Sequence, residues 1–105
     1  MTTADSRVPL DELLAAFDGL VAAGWQVREL ASQTATARGS LPIRAYFNAD
    51  PVDAVLVGGI HGREPAGAIA LARYVPRLVE HGRTRSLLVM PLLNPWGYVE
   101  RERYG

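Results

Sequence analysis

Apolar side chains recur at Leu10, Leu13, Leu14, Phe17, Leu20 and Val21. That is the i, i+3, i+4, i+7 spacing of one helix face, so a helix is predicted from Pro9 to a stop at Gly24. Asp11 and Glu12 lie in its first turn, where the helix dipole favours anions. Residues 25–31 then alternate loosely, with Trp25, Val27 and Glu29 on one side and Gln26 and Arg28 on the other. Residues 33–38 are polar and threonine-rich, and Gly39-Ser40 reads as a turn. From Pro42 to Asn48, Ile43, Ala45 and Phe47 alternate against Arg44 and Tyr46, the period of a strand. Residues 25–48 together predict an antiparallel edge of two or three strands.

A different pattern begins after the turn Asn48-Ala49-Asp50-Pro51. Ala54-Val55-Leu56-Val57 is a short apolar, β-branched run, the pattern of a strand buried on both faces, and residues 54–60 are predicted as the central strand. Gly58 and Gly59 release the backbone from it. Pro65 suits the first position of a helix, where its missing N–H costs nothing. That helix carries Ala66, Ile69, Ala70, Leu71, Val75, Leu78 and Val79 and closes at Gly82, with a kink or break near residues 72–75 because Pro76 removes an interior hydrogen bond. Residues 86–93 hold the most apolar run, Leu87-Leu88-Val89-Met90, and predict a second buried strand. Strand, helix and strand in this order make a right-handed unit with parallel strands. Residues 61 and 94 would then both lie beyond the carboxyl ends of neighbouring strands, where open α/β sheets place ligands. The expected organisation is a flexible lead over residues 1–8 and one α/β domain over 9–105.

Composition mainly removes alternatives. Eleven basic and eleven acidic residues balance to a net charge of zero, so no surface stands out that could track a nucleic-acid backbone. The chain has no cysteine, which excludes disulfides, thiolate metal sites and cysteine nucleophiles. No basic start followed by an apolar segment resembles a signal peptide, and no run approaches the ~20 apolar residues of a membrane span. A soluble cytoplasmic protein without nucleic-acid or membrane partners is expected.

The chemistry concentrates at His61-Gly62-Arg63-Glu64. Side chains three residues apart share one face of a helical turn and can converge on one ion, and imidazole nitrogen and carboxylate oxygen are both ordinary zinc ligands. Spacing alone is weak, because His-x-x-Glu also occurs as a surface histidine beside a solvated glutamate. The context is more specific. Gly58-Gly59-Ile60-His61-Gly62-Arg63-Glu64-Pro65, after an apolar strand and before a helix, resembles the first metal-binding segment of the zinc carboxypeptidase family. About thirty residues on, Pro91-Leu92-Leu93-Asn94-Pro95-Trp96-Gly97-Tyr98 resembles that family's Asn-Pro-x-Gly-Tyr/Phe element, which leads to an arginine. Asn94 to Gly97 also reads as a turn in its own right, and Trp96 and Tyr98 as cover for the end of the sheet.

The resemblance spans roughly residues 40–105 and implies the first part of a mixed-sheet metallocarboxypeptidase-like fold. It implies Zn²⁺ held by His61 and Glu64, with Arg63 and Asn94 binding substrate. Arg103 would polarise the scissile carbonyl, donating to a developing oxyanion. Arg101 is a close rival, and both also belong to the charged run of residues 100–103. The family's third ligand, a histidine, and its glutamate base have no counterpart in these 105 residues. The other histidine, His81, stands sixteen residues beyond Pro65, roughly 24 Å along a straight helix, and reads as a basic residue in a last turn.

The leading expectation is therefore a zinc-dependent amide hydrolase of carboxypeptidase type, incomplete in this chain, acting on a peptide. Within the same resemblance stands a deacylase of N-acyl amino acids, like the succinylglutamate desuccinylase and aspartoacylase relatives. From another class comes a non-catalytic module that assembles with a second copy or a completing chain through exposed sheet edges.

Overall fold

A computed structural model of the chain describes residues 8–33, 39–59 and 66–100. The elements run α1 (Leu10–Ala15), α2 (Asp18–Ala22), β1 (Gln26–Gln33), β2 (Leu41–Phe47), β3 (Ala54–Val57), α3 (Ala66–Arg73), α4 (Val75–His81), β4 (Leu87–Met90) and α5 (Pro95–Glu100). The four strands form one mixed sheet in the order β1-β2-β4-β3. β1 and β2 pair antiparallel, as expected for residues 25–48, with Gln33 opposite Leu41 and a register shift between Glu29 and Ala31. β2 runs antiparallel to β4, Tyr46 opposite Val89. β3 and β4 run parallel, Ala54 opposite Leu87 and Val57 opposite Met90.

Alternation along the strands decides where the core sits. Ala54, Leu56, Leu87, Val89 and Tyr46 share one face, and on it lie Phe17 and Leu20 from the amino-terminal segment and Val75 and Leu78 from α4. Leu13, Ala68, Leu92 and Tyr98 form a second, smaller cluster, closed by the Tyr98 hydroxyl donating to the Val8 carbonyl. Asn48 fastens the opposite end of the sheet. Its Nδ2 donates to the carbonyls of Gly82 at 2.7 Å and Arg85 at 2.9 Å, and its Oδ1 accepts the Leu87 N–H at 2.8 Å.

Three elements differ from the sequence expectation. The first helix is two: the backbone tightens to i→i−3 bonds, Phe17 N to Leu14 O and Leu20 N to Phe17 O, both 3.0 Å. The break brings Gly19 against α4, where a Cβ would stand 3.1 Å from the Val75 methyl. The run Ala54–Val57 is not buried on both faces. β3 is an edge strand among the described residues, and Val55 and Val57 on its second face are 55% and 42% exposed. β4 takes the central place, because β2 and β3 pair with its two sides. Third, residues 95–100 continue as α5 instead of stopping as a turn. The predicted break before Pro76 is present: α3 ends at Arg73 and α4 starts at Val75 with proline in its first turn.

Candidate functional site

Two chain corners meet at the carboxyl ends of β3 and β4, and backbone hydrogen bonds join them. Gly58 N–H donates to Met90 O at 2.9 Å, Leu93 N–H to Gly58 O at 3.0 Å, and Asn94 N–H to Gly59 O at 2.9 Å. Glycine is required for this approach. A Cβ at 58 would meet the Pro91 carbonyl and a Leu71 methyl at 2.9 Å each. A Cβ at 59 would come within 2.4 Å of a Leu92 methyl, and φ there is +64°. The parallel register therefore carries past the strands themselves, and the segment leaving Gly59 starts beside Asn94.

Asn94 caps α5. Its Oδ1 accepts the Gly97 N–H at 3.0 Å and its carbonyl accepts the Tyr98 N–H at 3.1 Å. Pro95 in the first helical position has no N–H to satisfy. The remaining donor of the first turn, Trp96 N–H, goes to Gln33 Oε1 at 2.7 Å, and Gln33 Nε2 donates to Asn94 Oδ1 at 3.3 Å. The end of β1 at Gln33 thus lies at the same end of the sheet as the two corners. Gln33 was not anticipated: it is 61 residues from Asn94, and only the polar character of residues 33–38 marked that region.

His61, Arg63 and Glu64, together with Arg101 and Arg103, lie outside the described residues. Of the predicted site residues, Asn94 alone is placed. The expectation that residue 61 follows a strand adjacent and parallel to the one preceding Asn94 is met by the β3–β4 pairing. His81 sits at the end of α4, its Nε2 3.3 Å from the Tyr74 hydroxyl, with the two rings stacked. Among the described residues no group of three or more His, Cys, Asp or Glu could hold a metal ion. The donors the sequence supplies at the first corner, one imidazole and one carboxylate, are a set that fits zinc, and the glycine approach brings that corner's backbone against the second. No described helix is long and apolar enough to cross a membrane.

Comparison with known proteins covers most of the chain. Residues 51–105, just over half the chain, match the family described as succinylglutamate desuccinylase/aspartoacylase catalytic domain. No curated protein matches. Among solved structures, three proteins named "putative metallopeptidase" share the fold. The one from Shewanella amazonensis has TM-score 0.69 at 22% identity over 86% of this chain. That from Shewanella denitrificans has TM-score 0.69 at 23%, and that from Shewanella baltica 0.66 at 18%, over the same share. The chain spans only 34%, 35% and 34% of their respective lengths.

Proposed function

Because the chain belongs to the succinylglutamate desuccinylase/aspartoacylase catalytic-domain family, we propose that it carries the first part of a zinc-dependent amide-hydrolase site. His61 and Glu64 hold the metal. Bound zinc supplies Lewis acidity toward a carbonyl oxygen and lowers the pKa of water. Arg63 and Asn94 bind substrate, and Arg103 rather than Arg101 donates to the oxyanion. The family match favours an N-acyl amino acid as substrate; the names of the solved neighbours favour a peptide. The setting is the cytoplasm, which suits a chain without cysteine.

The observation that most supports this reading is the hydrogen bond from Asn94 N–H to Gly59 O, which ties together the corners that carry the two motifs. With two metal ligands and no general base in its 105 residues, the chain by itself should bind zinc weakly and hydrolyse negligibly. Calorimetric zinc titration tests the metal half. His61→Ala should weaken binding by more than about tenfold, the effect that even outer partners of a metal site reach. Equal affinity in the two proteins removes the metal.

A second reading rests on β3. Its outer edge has no strand partner among the described residues, and Val55 and Val57 are exposed beside it. Such an edge recruits another strand, and a second copy of this chain can supply one. Sedimentation should then show a dimer that Val57→Lys converts to monomer. A clean wild-type monomer counts against self-association.

A further inference from the structure

We infer that Gln33 is the positioning residue of the second corner: it locks the Asn94 amide so that its NH₂ is left to donate to a substrate oxygen. The inference deepens the substrate-binding role proposed for Asn94 and rests on that part of the reading, not on the metal.

Two donors at this corner have a fixed identity. Trp96 N–H and Gly97 N–H are backbone groups and can only donate. Trp96 N–H meets the Gln33 side chain at 2.7 Å, so the atom facing it is Oε1, and the other end of the amide must be the NH₂. Gly97 N–H meets Asn94 at 3.0 Å, so that atom is Oδ1. The Gln33 NH₂ then donates to the same Oδ1 at 3.3 Å. Each amide orientation enforces the other. Asn94 Oδ1 takes two donors, while its Nδ2 has no acceptor among the described residues and the residue is only half-buried. A half-buried amide with its oxygen committed presents two hydrogens and no lone pair, which suits a carbonyl or carboxylate oxygen. Without Gln33 a single bond from Gly97 would hold the orientation. No ion is needed at the start of α5, since its first-turn N–H groups already have partners.

Gln33→Glu separates this role from simple packing, because it keeps shape and turns one donor into an acceptor. The ionised carboxylate still accepts Trp96 N–H, but its second oxygen faces Asn94 Oδ1. The Asn94 amide should turn to offer its NH₂ to that carboxylate, leaving Gly97 N–H without an acceptor. Protonating the introduced carboxyl restores a donor and hence the wild-type arrangement. By ¹⁵N NMR on the 105-residue chain, Gly97 amide exchange in the variant should be about tenfold faster than in wild type at pH 7, the loss of one net hydrogen bond. Its protection relative to intrinsic exchange should recover as pH falls through the titration of the new carboxyl, whereas protection in wild type shows no such step. N-acetylglycine should shift the Asn94 NH₂ signals in wild type at pH 7, fail to do so in Gln33→Glu at pH 7, and regain the effect in the variant near the ordinary glutamate pKa of about 4. Gly97 exchange indifferent to the substitution overturns the lock. Exchange that responds, with N-acetylglycine leaving the Asn94 signals unmoved in both proteins, overturns the substrate role assigned to it. Neither result bears on the zinc titration, whose failure would leave the lock standing.

Discussion

Gly59→Ala should destabilise the chain by about 3 kcal/mol and loosen the contact between the two corners. The left-handed φ of +64° costs an L-residue about 1–2 kcal/mol. A methyl at 2.4 Å from the Leu92 side chain and 3.1 Å from its Cα adds an overpacking cost of about 1–3 kcal/mol, because the second contact is backbone and cannot swing away. The displacement acts on the carbonyl that accepts Asn94 N–H, so faster exchange at the Asn94 amide should accompany the lost stability. Gly67→Ala is the control. It lies within α3, a Cβ there meets nothing closer than 3.9 Å, and gained helix propensity should make it neutral or stabilising by up to about 1 kcal/mol. Urea midpoints at unchanged slope measure both. If Gly59→Ala costs no more than Gly67→Ala, the corners are not packed as described.

What could be read from the sequence divides by the range of the cause. The antiparallel pair β1–β2, the parallel pair β3–β4 and the break before Pro76 follow from local period, Gly/Pro punctuation and the handedness of strand–helix–strand units, and all are present. The burial of β3 was misjudged because an apolar run reports which residues tolerate burial, not whether a neighbour arrives to bury them. Val55 and Val57 show the difference. Asn-Pro-x-Gly suits a turn as well as the start of a helix, so local sequence leaves α5 undecided. Gln33 decides the matter by taking the one first-turn donor that Asn94 leaves, and a contact across 63 residues has no signature in local sequence. At the candidate site, the two corners and their adjacency were legible from glycine placement and strand order. The lock on Asn94 was not. His61, Arg63, Glu64 and Arg103 stand on motif resemblance and family membership.

Phe17→Ala should cost about 3–4 kcal/mol, a large fraction of the ~5–15 kcal/mol that stabilises a small domain. Phe17 is fully buried, and its ring stacks on Tyr46 at 5.7 Å between centroids and 28° between planes. Truncation removes that stacking and leaves a void among Leu20, Trp25, Val75 and Leu78. These come from α2, the turn before β1 and α4, three separate segments that cannot all close in together. The same residue sits in the tightened turn between α1 and α2, φ −83° and ψ −5°. An unbroken helix would have carried Phe17 on the same apolar stripe as Leu13, in one continuous core; the break instead gives Leu13 to the second cluster and Phe17 to the first. That separation makes a sharper forecast than stability alone. Phe17→Ala should lower the urea midpoint while leaving zinc affinity of the folded protein unchanged, since Leu92 and Ala68, beside the two corners, lie in the other cluster. Phe17→Leu, which refills most of the volume, should recover all but about 1 kcal/mol. A cost below about 1 kcal/mol for the alanine variant, far under the range for a buried aromatic, would mean that the amino-terminal helices do not pack on the sheet through this ring.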